Sequence, residues 1–254
     1  MVYDLSIQEK KTVSLDFVVR ANGTASVNEL KSAGGFDANY NKMANYYNDR
    51  INRLARPIAL PNPKLVEFYK AAQIIMWESV VKVENGDVEM RGSGGNPAGY
   101  YQYDRTFSHD VPNMVDQFIR EGDFDLAKSI MESGYYQKLI TELQHNYLDA
   151  VPKYIIPYAL YLQLSGDTDY FTPDVRENLK AAAHAIHDFR DFETDTEHTG
   201  IMSKSGTLDN RSDYLIVDNF AALHGLAAYR LSLIHISEPT RPLYISYAVF
   251  CLKK

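Results

Sequence analysis

Between residues 63 and 230 the apolar residues return every three or four positions, and glycine or proline cuts the runs at helix-length intervals. That period gathers the apolar side chains of each run on one helical face, so the chain must fold by packing helices on helices. Asn62 before Pro63 predicts a helix start, because asparagine caps and a proline at the first helical position has no N–H to leave unpaired. Leu65, Phe68, Ala72 and Ile75 then share a face. A second helix carries Met114, Val115 and Phe118 and stops at Gly122. Asp123 opens a third, with Leu126, Ala127, Ile130 and Met131 inward. Pro152 opens a fourth, with Ile155, Tyr158, Ala159 and Leu162, ended by Gly166. Thr172 and Pro173 open a fifth, with Val175, Leu179, Ala182, Ala183, Ile186 and Phe189, and Asp218 opens a sixth through Phe220, Leu223, Leu226 and Ala227. Six helices in antiparallel order make three hairpins, a mainly α fold. The turns at Gly122-Asp123 and Gly166-Asp167 share their punctuation: a left-handed glycine stop, then an aspartate serving the next helix or turn. No strict repeat consensus is present, so an ordinary solenoid is not indicated.

The segment before Pro63 reads differently. Val13, Leu15 and Phe17 alternate with Ser14 and Asp16, the period of a half-buried strand over residues 12–19. A polar, glycine-containing stretch continues to residue 41, then a short helix over residues 40–54, and Pro57, Pro61 and Pro63 mark a linker.

Composition narrows the function. The net charge of −7 is spread along the chain without a basic cluster, which excludes phosphate-backbone binding and hence nucleic acid. No apolar run is long enough to span a bilayer, so no membrane partner is expected. No charged-then-apolar leader opens the sequence, and the compartment stays undetermined. The 19 tyrosines join apolar faces to hydroxyls. They suit the grip of a polar ring-shaped ligand, although most are expected to fill wet seams between helices.

Chemistry-bearing residues concentrate in two loops. The glycine-rich RGSGGNPAGY (residues 91–100) runs into YYQYDR, giving Tyr100, Tyr101, Tyr103, Asp104 and Arg105, with His109 close behind. A nucleotide site would need a lysine and a strand-to-helix context that this loop lacks, so no cofactor is expected. Tyrosine faces stack on sugar C–H surfaces, while Asp104 and Arg105 can hold hydroxyls through charge-assisted bonds. The competing reading is a structural Asp–Arg pair at a helix start, with Asp110 as a helix cap. SKSGTLDNRSD (residues 203–213) precedes the sixth helix and holds Asp209 and Asp213. His184 and His187 lie three apart on a helix but lack a third ligand, so they read as a solvated or packed pair and no metal is expected. Trp77 reads as core.

The order of these features resembles that of the six-hairpin glycosidases. The strand at residues 12–19 resembles the last strand of that family's β-sandwich. PNPKLVEFYK (61–70), YYQYDR (100–105), FIREGDFDLAKSIM (118–131), residues 149–171 and VDNFAALHGL (217–226) are similar to successive parts of its (α/α)6 toroid. The resemblance implies residues 1–62 as a residual β-sandwich strand and linker, and residues 63–230 as a truncated toroid of about three hairpins. It implies a fragment of an oligosaccharide-cleaving glycoside hydrolase, inverting, whose two carboxyls would stand about 6.5–9.5 Å apart. Asp209, with Asp213 second, takes the place of the general acid, and the competing reading of Asp209 is a loop aspartate capping a turn. The base falls beyond Arg230, so the fragment is expected to be inactive. Tyr100, Tyr101, Tyr103, Asp104, Arg105 and His109 take the sugar-binding place. A phosphorylase or lyase on the same barrel, or a protein-binding scaffold of α/α hairpins, are the alternatives. Half a ring also leaves the first and sixth helices with uncovered apolar faces.

Residues 231–254 have a different resemblance. LSLIHISEPTR (231–241) is similar to a translated transposase-type library adapter, and ISYAVFCLKK (245–254) to its remainder after an index-length gap. The competing reading is an amphipathic strand pair. Without this tail the chain has no cysteine, since Cys251 is the only one.

Overall fold

The computed structural model describes residues 26, 28, 32, 34–55, 60–83, 86–90, 110–141, 147–191, 198–206 and 213–237. Among these the chain is mainly helical, with eight helices and one two-stranded sheet. It divides into two units, Met1–Arg53 and Leu54–Lys254. The expected strand at residues 12–19 lies outside the described residues. In the first unit, α1 (Phe36–Arg53) starts earlier than the sequence pattern indicated. The Asn39 amide donates to the carbonyls of Gly34 and Gly35 (3.2 and 3.0 Å) and so anchors the first turn.

In the second unit, α2 (Pro63–Glu78) begins where Asn62 and Pro63 predict: the Asn62 side chain accepts from the Lys64 N–H at 3.0 Å. Next comes a hairpin of β1 (Val80–Lys82) and β2 (Val88–Met90), antiparallel with Val80 opposite Met90. It was not visible as a sequence period, because three residues per strand are too few to set one. Helices α3 (Val111–Glu121) and α4 (Phe124–Glu132) are separated by Gly122 at φ 85°. Ser133, extended at ψ 143°, then starts a further short helix, α5 (Gly134–Thr141), that the sequence pattern did not separate. The Gly134 N–H donates to Asp87 at 3.0 Å, tying this break to the hairpin. Helix α6 (Ala150–Ser165) ends at Gly166 with φ 70°. The Thr172 hydroxyl caps α7 (Pro173–Asp188) by accepting from the Val175 N–H at 3.3 Å. The last helix, α8 (Ile216–Ser237), passes through Arg230 without a break, so the backbone marks no boundary there. Adding residues to an existing helix fixes one hydrogen bond each and needs no new nucleus.

Helix α6 packs against both α3 and α8, α7 packs on α6 and α8, α4 on α3, and α5 on α4 and α6. Helix α6 is the centre. It touches α3, α5, α7 and α8, and buries Val151, Tyr154, Ile155, Tyr158, Tyr161 and Leu162. Its contact with α8 is made by small residues: Ala222, Gly225, Ala228 and Ser232 are buried, while Phe220, Leu223 and Leu226 are exposed. A Cβ on Gly225 would stand 2.7 Å from the Pro152 carbonyl oxygen, closer than packing allows. Helix α2 behaves alike: Gln73 and Trp77 are buried, and Leu65, Phe68 and Ile75 are exposed. On the first and last helices of this unit, therefore, the face picked out by large apolar residues is the exposed one.

The seams around α6 are built from tyrosine. Tyr136 and Tyr154 stack at 4.8 Å, Tyr154 and Tyr158 share a hydroxyl–hydroxyl bond of 2.9 Å, and Tyr158 stacks on Tyr170 at 6.0 Å. Tyr136 donates to the Tyr154 carbonyl at 3.2 Å, and the Gln137 amide donates to the Tyr158 hydroxyl at 2.9 Å. The aspartate of the second glycine turn serves that turn: Asp167 accepts from the Tyr161 hydroxyl at 3.0 Å and from the Tyr170 N–H at 3.2 Å. Burial, before any neighbour, raises the pKa of Tyr136, Tyr154, Tyr158 and Tyr170 above the ordinary tyrosine value, and burial and then Asp167 push Tyr161 up to about 12.

This packing can be tested in two ways. Above pH of about 10 an unfolded tyrosine ionises while these folded ones keep their protons, so the stability they contribute below that pH is lost as pH rises. Absorbance titration should separate exposed tyrosines, ionising near pH of about 10, from a buried set that ionises together with loss of helical circular dichroism. A single phase with intact helix signal would contradict the packing. Gly225→Ala should lower stability by about 1–3 kcal/mol, as over-packing does, read as a fall in melting temperature. Ala222→Gly should give a smaller loss.

Candidate functional site

The second residue of α3 (Pro112), the first turn of α6 (Lys153) and the first turn of α8 (Val217) line one cleft of about 280 Å³. The cleft runs along the helices, from Pro112 to Arg120 on α3 and from Val217 to His224 on α8. Asn113, Asp116, Arg120, Ile156, Phe220 and His224 are also in the lining. Arg120 and Lys153 of this lining each pair with the carboxylate four residues earlier: Arg120 donates to Asp116 at 2.8 Å, and Lys153 donates to Asp149. Asp149 is almost wholly buried, at the N-cap position of α6, where the helix dipole favours a negative charge. Asp116 uses only Oδ2 for Arg120. Its Oδ1 is buried without a hydrogen-bond partner. Phe220 lies 64% exposed on the cleft wall, an aromatic face left open beside charged groups.

The segment feeding α8 is held by one ring. Tyr214 donates to Asp191 at 2.6 Å, stacks on His198 at 4.1 Å and lies under the Lys204 ammonium at 5.2 Å. Short antiparallel bridges join Arg190 to Met202 and Ser205 to Asp213. Residues from the start of α8 then pin this segment: the Ser205 hydroxyl donates to the buried Asp218, and the Met202 N–H donates to Asn219 at 3.0 Å. Asp218 was expected to cap this helix. The helix instead starts two residues earlier, and Asp218 faces inward to anchor the preceding segment. Asp110 and Asp123 occupy N-cap positions, but neither side chain closes a cap bond.

No family model, curated protein or solved structure matches the chain.

Of the residues singled out in the sequence, Tyr100, Tyr101, Tyr103, Asp104, Arg105, His109 and Asp209 lie outside the described residues. Asp213 is described. It is exposed, its backbone pairs with Ser205 at 2.9 and 3.2 Å, and its Oδ1 accepts from the Tyr214 N–H at 2.8 Å. In the sequence, residues 91–109 precede α3 and residues 207–212 come before α8, and both helices contribute to the cleft. His184 and His187 are exposed, with His187 beside Asp188 at 3.1 Å, and among the described residues no group of acidic, histidine or cysteine side chains could hold a metal ion. Asp116, Lys153 and Phe220 were not singled out. Asp116 and Arg120, four apart on a helix, carried the signal of an ion pair, but any exposed helix shows such pairs.

The segment before α8 supplies a test. Ser205→Ala removes the donor to a buried carboxylate, and leaving such a group less satisfied costs about 1–3 kcal/mol. The expected readout is a lower melting temperature and faster amide exchange at Met202 and Ser205. Unchanged exchange there would show that Asp218 does not hold this segment.

Proposed function

We propose that this chain belongs to a carbohydrate-active enzyme of the glycoside hydrolase type, and that the cleft between α3, α6 and α8 receives an oligosaccharide. The supporting observation is the cleft, whose lining includes the exposed Phe220 together with Asp116 and Lys153. A sugar ring has an apolar C–H face and a hydroxyl rim. An open aromatic face suits the first, and charged hydrogen-bonding groups suit the second. Asp116 Oδ1 is an acceptor waiting for a donor, which a sugar hydroxyl supplies. The (α/α) toroid arrangement, with Asp209 as the general acid and Tyr103, Asp104 and Arg105 as sugar-binding residues, is part of the same proposal. Its support is that the two candidate loops precede, in sequence, the two helices α3 and α8 that line this cleft. A second reading, a scaffold for a protein partner, draws on the exposed Leu65, Phe68 and Ile75 of α2 and Leu223 and Leu226 of α8.

Calorimetric titration with malto-, cello- and xylo-oligosaccharides, alongside turnover of aryl glycosides, decides between them. Phe220→Ala should weaken oligosaccharide binding up to about tenfold, the worth of an aromatic contact. Asp116→Asn should weaken it by about 10- to 100-fold through loss of a charged hydrogen bond. Where turnover is measurable, Asp209→Asn should lower kcat by about 10²–10⁴-fold, and by less for activated leaving groups. Failure of every oligosaccharide to bind, with Phe68→Ser and Leu223→Ser abolishing capture of a protein partner, would favour the scaffold.

A further inference from the structure

A second concavity lies next to the cleft, between α3 and α2, with a volume of about 380 Å³. Tyr69, Ala72, Gln73 and Met76 of α2 face Asn113, Met114, Gln117 and Glu121 of α3 across it. Two side chains in this groove are unusual. Gln73 is 2% exposed, yet neither its amide nitrogen nor its amide oxygen has a hydrogen-bond partner. Glu121 is also 2% exposed and receives both of its donors on one oxygen: the Tyr69 hydroxyl at 3.2 Å and the Gln117 amide at 2.6 Å. Its other oxygen, Oε2, is buried and unpaired. A buried polar atom without a partner costs about 1–3 kcal/mol, which a bound molecule with matching groups would recover.

The unpaired atoms specify the ligand. Gln73 Oε1 and Glu121 Oε2 each need a donor, and Gln73 Nε2 needs an acceptor. Interchanging the amide oxygen and nitrogen leaves that requirement unchanged. An ammonium group only donates, so it leaves the Gln73 N–H groups unmatched. A carboxylate or phosphate only accepts, and it would meet the Glu121 charge in a groove whose described lining holds no lysine, arginine or histidine. A hydroxyl both donates and accepts, and two neighbouring hydroxyls meet all three needs. Ala72, Met76 and Met114 offer the apolar wall that a ring or a carbon chain requires. We propose that the groove between α2 and α3 binds a small neutral polyhydroxylated molecule, a single sugar ring or a polyol, through adjacent hydroxyls held by Gln73 and Glu121. Of the described lining residues this site shares Asn113 alone with the cleft, and it stands whether or not the cleft takes an oligosaccharide.

The test uses the full chain, with glucose, myo-inositol and glycerol as probes, methylammonium as the cationic control, and calorimetry or protein chemical shifts as readout. At least one polyol should bind saturably below roughly 10 mM, shifting resonances of Gln73 and Tyr69. Gln73→Met keeps the side-chain volume and removes the unpaired atoms. It should raise the melting temperature and weaken polyol binding at least tenfold. Ala72→Phe, which fills the groove without touching a polar group, should abolish the same binding and thus guards against a change in fold. Asp116→Asn and Phe220→Ala, on the cleft, should leave it unchanged. No saturable polyol binding would mean that no hydroxyl of a ligand reaches these atoms, and the proposal falls. It falls equally if binding survives both groove variants, or if methylammonium binds and the polyols do not.

Discussion

A tyrosine hydroxyl buried between helices has to find its partner inside the protein, and that requirement governs the placement of the helices around α6. Tyr154 and Tyr158 project from successive turns of α6 and bond to each other, while Gln137 from α5 donates to Tyr158 and accepts from Tyr154 at 3.2 Å. Asn178 of α7 donates to the same Gln137 oxygen at 2.9 Å. One amide side chain thus joins three helices. Aliphatic packing alone would leave neighbouring helices free to rotate or slide by small amounts, whereas a polar network inside an apolar seam is satisfied in few arrangements. The rings supply the apolar area, and their hydroxyls fix orientation.

The helix stops and starts were legible because they depend on local chemistry. Gly122 and Gly166 take the left-handed conformation that other residues avoid, and Asn62 and Thr172 bond their own helices. Which face each helix buries was legible only in the middle of the unit, where Val115, Phe118, Ile130 and Ile155 are all buried. On α2 and α8 the large apolar stripe is exposed, and the buried stripe is either small, as at Ala222, Gly225 and Ala228, or unexpectedly polar, as at Gln73. Periodicity identifies a face without identifying its neighbour, and close helix approach selects for missing side-chain volume that a hydrophobic pattern does not record. The toroid implied by family resemblance concerns an arrangement beyond these contacts.

The candidate site was legible to a lesser degree. Sequence pattern placed the chemistry in loops, where glycine, tyrosine and acidic residues cluster. The described cleft and groove are instead lined mainly by helix residues, among them Asp116, Lys153, Gln73 and Glu121. Each of these would pass as a solvated helix residue in a linear sequence. Their significance comes from which atoms remain unpaired once the helices have packed, a property that no local pattern carries. Asp218 illustrates the reverse case. It sat in a motif that resembled part of a catalytic domain, and its carboxylate anchors the segment ahead of α8.

The closeness of Gly225 to Pro152 also acts as a register lock. Sliding α8 by one turn along α6 would bring Ala221 or Ala222, or Ala228 or Tyr229, against the Pro152 carbonyl, and even a methyl group does not fit there. Only one height of α8 relative to α6 is open. Val217 and Phe220 on α8 and Lys153 and Ile156 on α6 meet across the cleft at that height. The alignment of the cleft walls is thus set by a side chain that is absent.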